Sequence, residues 1–129
     1  MYKILALDDD KFILASLQRS LRNEKNWHVE TFNTPFDALE HARHQHYDLF
    51  LSDYQMMGMD GIEFLAKMKL LQPASVRIIL SGDDSNELTQ KAIERAGVYS
   101  VISKPVQKHE LITTINLALK DYEMQQANS

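Results

Sequence analysis

Five short apolar runs, each followed by a stretch of helical periodicity, constrain this chain more than any other feature. The runs are Ile4–Leu7, Val29–Phe32, Leu49–Leu51, Ile78–Leu80 and Val101–Ile102. They lack the every-second-residue alternation of a half-exposed strand, which suits strands buried on both faces. Between them, Ile13, Leu14, Leu17 and Leu21 share a helical face after Asp10. Ala38, Leu39 and Ala42 follow Thr34-Pro35, a start signal with proline in the first turn. Ile62, Leu65 and Met68 follow Asp60-Gly61, and Leu88, Ala92 and Ile93 run up to Ala96-Gly97, where glycine reads as a stop. Ile112, Ile115, Leu119 and Tyr122 form the last stripe. Alternating β-α units with short connections predict a parallel sheet covered by helices on both faces. In open sheets of this kind, ligands bind beyond the carboxyl ends of the strands.

The chain has 129 residues, enough for one domain with a real core. It holds no cysteine, which excludes disulfides, thiolate catalysis and cysteine-bound zinc. The net charge is −4 and no Lys/Arg-rich run occurs, so direct nucleic-acid binding is not expected. No apolar run approaches the roughly 20 residues that span a bilayer, and Asp8 interrupts the N-terminal segment too early for a signal peptide. A cytoplasmic domain without membrane contact is expected.

The strand ends carry the chemistry. Asp8, Asp9 and Asp10 follow the first run, Ser52-Asp53 the third, Ser81-Gly82 the fourth and Ser103-Lys104-Pro105 the fifth. Clustered carboxylates repel one another until a cation or a proton relieves them. An all-oxygen set without histidine or cysteine suits Mg²⁺, which keeps room for a phosphoryl oxygen. A carboxylate nucleophile, a divalent cation, an ammonium and a hydroxyl at one rim describe phosphoryl transfer to an aspartate.

Ile4-Leu5-Ala6-Leu7-Asp8-Asp9-Asp10, Tyr47-Asp48-Leu49-Phe50-Leu51-Ser52-Asp53 with Met56 and Met59-Asp60-Gly61, Ile79-Leu80-Ser81-Gly82, and Ser103-Lys104-Pro105 occur in this order. Together they resemble the receiver domain of two-component response regulators, over residues 3 to about 122. The resemblance implies an α/β, flavodoxin-like three-layer sandwich with a five-stranded parallel sheet of order 2-1-3-4-5 and five helices. Residues 1–122 would form the receiver, and 123–129 a polar tail or the start of a linker. The implied function is phosphorelay signalling rather than enzymatic turnover of a separate substrate. A sensor histidine kinase or histidine phosphotransfer protein would phosphorylate Asp53. Asp9 would bind Mg²⁺ directly and Asp8 through water, with Asp53 and the Gln55 backbone carbonyl as further ligands. Ser81 resembles the switch hydroxyl and Lys104 the lysine that contacts the phosphoryl group. Gln55 and Asp83 resemble the pair that flanks the hydrolytic water. The face made by the last helix-strand-helix would engage an output domain, a target protein or a second copy.

Two positions depart from the family pattern. Met57 stands where proline is usual, and Val101 stands where many members carry a switch Tyr or Phe. Tyr99, two residues earlier, is not assigned that role. A rival resemblance is to haloacid-dehalogenase-like phosphatases, with Asp8 as nucleophile and Asp10 as acid/base. Against it, Lys11 stands where Thr or Val is expected, and no acidic pair follows Lys104 at a strand end. Asp53 would be idle in that reading. His41, His44 and His46 suggest a solvated helix end rather than a metal site, for want of a third spaced ligand. Met56, Met57 and Met59 are expected to pack against the rim, and Trp27 to anchor the core.

Overall fold

The computed structural model describes residues 1–83 and 85–128, so Asp84, expected beside the start of a helix, lies outside the described residues. The chain alternates strictly: β1 (Tyr2–Leu7), α1 (Lys11–Leu21), β2 (Trp27–Phe32), α2 (Pro35–His44), β3 (Leu49–Asp53), α3 (Gly61–Leu71), β4 (Val76–Ser81), α4 (Asn86–Ala96), β5 (Ser100–Ser103) and α5 (Lys108–Ala127). The strands pair in parallel in the order β2-β1-β3-β4-β5, the flavodoxin-like arrangement. The order reverses at β1, so the loops after β1 and β3 diverge and leave a crevice between them.

Both faces of the central strands β1, β3 and β4 are largely buried, which is why their apolar runs do not alternate, whereas the edge strands β2 and β5, expected to be buried on both faces as well, are only partly covered. Ile4, Ala6, Leu49, Leu51, Ile78, Leu80 and Ile102 face α1 and α5, where they meet Leu14, Leu17, Leu21, Leu111, Ile115 and Leu119. Leu5, Leu7, Phe50 and Ile79 face α2, α3 and α4, where they meet Ala38, Ile62, Leu65, Met68, Leu88 and Ala92. Trp27 is buried in the first of these clusters, as expected.

The helix starts follow from local chemistry. Asp10, Thr34, Asp60 and Ser85 each accept a hydrogen bond from a first-turn amide of the following helix. Pro35 opens α2, and Gly97 ends α4 in the left-handed region at φ 58°. α5 has no side-chain cap and runs through the boundary expected at residue 122. Its last turns are tied to the lower rim of the sheet. Tyr2 Oη donates to Glu123, and His46 Nε2 lies 3.1 Å from Tyr122 Oη.

Candidate functional site

The register of the sheet brings the site together. Leu7 lies opposite Ser52 and Leu80 opposite Asp53, so Asp8 and Asp53 leave neighbouring strands at one level. Ser81 lies opposite Ser103, which sets Lys104 just beyond the same rim. Asp8 and Asp53 are buried and Asp9 is exposed. Oxygens of the three carboxylates lie within 4.8 Å of one another, and among the described residues they form the one grouping able to hold a metal ion.

Lys104 Nζ stands 2.6 Å from Asp53 Oδ1 and 3.6 Å from Asp8 Oδ2. Asp8 Oδ1 accepts from the Asp10 amide at 2.9 Å, whereas Asp8 Oδ2 is buried without a hydrogen bond. Burial raises the Asp8 pKa above the ordinary carboxylate value, and the Asp53 and Asp9 charges push the same way against the Asp10 amide and Lys104. Burial alone would lower Lys104, but its hydrogen bond to Asp53 and the charges of Asp53 and Asp8 hold it raised. A buried carboxylate oxygen without a donor, beside two more carboxylates, is the environment a hard cation relieves. The donor set, oxygen only, fits Mg²⁺.

The loops around this rim are held by backbone contacts. Asp9 Oδ2 accepts from the Met57 amide at 3.1 Å, which ties the loop after β3 to the acidic pair. Gly61 packs on the end of β3 so closely that a Cβ there would lie 2.2 Å from the Asp53 carbonyl oxygen. The Ser81 hydroxyl is buried and accepts from the Asp83 amide at 2.9 Å. Asp83 Oδ1 in turn accepts from the Ser85 amide, so Ser81 and Asp83 form two interlocked turns leading into α4. Gln55 is exposed, and the Lys104-Pro105 peptide is cis.

Some sequence expectations change. Met56 and Met59 pack against the core face of α2–α4, but Met57 does not: it is 83% exposed beside the acidic rim. Its amide, not its thioether, is the part engaged. Val101 packs on the α4 side of the sheet. Tyr99 shares the strand parity of Val101 but precedes β5 at the opposite end from Lys104, and it is exposed. Its distance from the rim sets it apart. The three histidines diverge: His41 stacks on Phe32 with ring centroids 4.8 Å apart, His44 meets Glu40, and His46 meets Tyr122 and Asp48.

Sequence reasoning missed Arg77. It lies in β4, is 8% exposed, and has no carboxylate partner among the described residues. Its guanidinium donates to the carbonyls of Ala96, Ser75 and Gly97, the first and last of them at the C-terminal end of α4. Burial lowers its pKa, and the negative end of the helix dipole offsets the cost of burying the charge. A charge directly before the apolar run Ile78–Leu80 is the one available signal.

Comparison with known proteins agrees with this geometry. A family model for the response regulator receiver domain matches residues 4–116. The transcriptional regulatory protein ZraR of Escherichia coli is 35% identical over 116 residues, covering 90% of this chain and 26% of that protein. The chain thus spans about a quarter of the length of curated relatives that it matches. The crystal structure of a CheY-like response regulator receiver domain protein from Methanospirillum hungatei superposes with a TM-score of 0.89 at 30% identity, covering 97% of this chain and 98% of that one. The beryllofluoride-activated NtrC4 receiver domain dimer superposes with a TM-score of 0.86 at 29% identity, covering 95% and 99%.

Proposed function

We propose, from the premise that this chain belongs to the response regulator receiver domain family, that it is a phosphorelay signalling domain phosphorylated on Asp53. The observation that carries the reading is one arrangement. Asp53, buried at the end of β3, lies against Lys104 Nζ at 2.6 Å and within 4.8 Å of Asp8 and Asp9 carboxylate oxygens. The donor is a phosphohistidine on a sensor kinase or phosphotransfer protein. The Asp53 carboxylate attacks phosphorus, a P–O bond forms, and the P–N bond to the donor imidazole breaks.

Asp8, Asp9, Asp53 and the Gln55 carbonyl would hold Mg²⁺, whose chemistry is to neutralise charge on the phosphoryl oxygens. Lys104 moves from the Asp53 carboxylate to the new phosphoryl oxygens, so it neutralises charge before and after transfer. Ser81 exchanges its bond from the Asp83 amide for one to a phosphoryl oxygen, and this draws the loop before α4 inward. Gln55 and Asp83 flank the water that later hydrolyses the acylphosphate, so the signal is transient. Val101 leaves no aromatic rotamer to couple, and the displacement passes through the loop and α4 to the α4–β5–α5 face. That face meets an output domain, a target protein or a second copy. Residues 123–129 are a polar tail or the start of a linker in this reading, and the domain works in the cytoplasm.

The phosphatase alternative has no support from the comparisons. Its acid/base, Asp10, is exposed and caps α1 through the Phe12 amide, while its idle residue, Asp53, is the one Lys104 holds. The test is incubation with phosphoramidate, followed by intact mass. The expected result is one added phosphoryl group with Mg²⁺, none with EDTA, and none in Asp53→Asn. Label of equal extent in EDTA would overturn the metal-assisted reading.

A further inference from the structure

The groove between α3 and α4 takes no part in the phosphoryl chemistry, and its lining holds three basic and two acidic side chains. It encloses about 330 Å³. Lys67, Lys91 and Arg95 line it, and none of the three side chains has a hydrogen bond or ion pair among the described residues. Lys91 and Arg95 stand four apart on α4, a like-charge spacing that weakens a helix. Glu63 precedes Lys67 by four on α3, the favourable order for an ion pair, yet no pair forms. In a chain of net charge −4, three cations thus gather in one place with no internal partner. Leu70 lines the same groove and is 85% exposed. The upper end of the groove is acidic, with Asp60 and Glu63 at the start of α3.

We propose that this groove docks an acidic amphipathic helix of a partner protein. Carboxylates of the helix lie over Lys67, Lys91 and Arg95, and a large apolar side chain rests on Leu70. An α-helix fits a groove between two helices and presents anchors at helical spacing. The bipolar charge selects a protein over a polyanion. A nucleic acid or an anionic bilayer carries negative charge along its whole length, and Asp60 and Glu63 repel it. A helix can be acidic at one end and neutral or basic at the other. The inference does not depend on phosphorylation of Asp53.

The test uses the full chain and a fluorescein-labelled synthetic helix with leucines on one face, glutamates at one end and lysines at the other. Fluorescence anisotropy should show saturable binding, with amide shifts on α3 and α4. Replacing the glutamates of the peptide by glutamine should weaken binding about tenfold, as should Lys91→Glu with Arg95→Glu in the protein. These side chains project into solvent or line the groove, and circular dichroism checks that the fold is kept. A peptide with lysines in place of the glutamates should bind the doubly reversed protein more tightly than the wild type. Equal binding of the glutamine peptide, unchanged affinity in the reversed protein, or shifts centred on another face would overturn the proposal. So would displacement of the peptide by duplex DNA or by phosphatidylglycerol vesicles.

Discussion

Among the described residues, Asp8 is the one whose side chain has a buried oxygen, Oδ2, without a hydrogen bond. Burial raises its pKa above 3.8, so the native state holds the proton more tightly than the unfolded chain. The resulting stability is present below about pH 3.8 and is lost as pH rises through the raised native value, so at neutral pH the ionised group is a net cost. Asp8→Asn keeps an oxygen for the Asp10 amide and removes that cost. In EDTA at neutral pH it should be more stable than the wild type by about 0.5–2 kcal/mol, the usual gain on relieving a functional site. Thermal melts should show that gap closing at low pH, and Mg²⁺ should stabilise the wild type but not the variant. A variant that melts lower at neutral pH in EDTA would contradict this. Lys104 has the opposite sign of effect. Burial alone would lower its pKa, but Asp53 and then Asp8 raise it, so its stabilisation is present below its unfolded value of 10.5 and lost only in stronger alkali. Lys104→Met should cost about 1–3 kcal/mol in EDTA, less than a fully buried pair because the side chain is 25% exposed. Urea titrations with and without Mg²⁺ check this, and the cation should narrow the gap.

At the scale of elements, α3 and α4 are fixed differently. α3 starts hard against β3, where a Cβ on Gly61 would lie 2.2 Å from the Asp53 carbonyl oxygen, a backbone atom that cannot turn aside. Gly61→Ala should therefore cost about 2–4 kcal/mol in urea titrations and weaken Mg²⁺ binding, since α3 and the end of β3 must separate. α4 is clamped at one end only. Arg77 holds the Ala96 and Gly97 carbonyls, while the other end follows the Ser81–Asp83 turns. When beryllofluoride mimics the phosphoryl group, amide shifts should therefore be larger near Leu88 than near Ala96. Equal shifts along α4 would show that the helix moves as a body and that Arg77 is no pivot. The sequence made three helix starts legible, because Asp10, Thr34 and Asp60 are cap residues placed before apolar periodicity, while the Ser85 cap of α4 emerged only from the structure. It did not reveal the clamp. Hydrogen bonds from Arg77 to the carbonyls of Ala96 and Gly97, 19 and 20 positions away, depend on how α4 returns over the sheet, which local pattern does not encode.

For the whole molecule, the acidic rim was legible because it rests on strand ends. Once the runs before Asp8, Asp53, Ser81 and Lys104 are parallel neighbours, register alone brings those residues together. The strand order itself came from the family resemblance, not from periodicity, which fixes strands but not their neighbours. Exposure of Met57 was not legible, since an apolar residue in a loop reads as packing until its amide is seen to hold Asp9. The tie of α5 to Tyr2 and His46 also needed the fold, since its partners lie far apart in the chain. The acylphosphate on Asp53 is the central claim, and its position can be read directly. After phosphorylation with Mg²⁺ and acetyl phosphate, borohydride reduces an aspartyl phosphate to homoserine, and peptide mass mapping locates the changed residue. The account predicts homoserine at position 53 in the wild type and no homoserine anywhere in Asp53→Asn. Homoserine at position 8, persisting when Asp53 is replaced by asparagine, would contradict it.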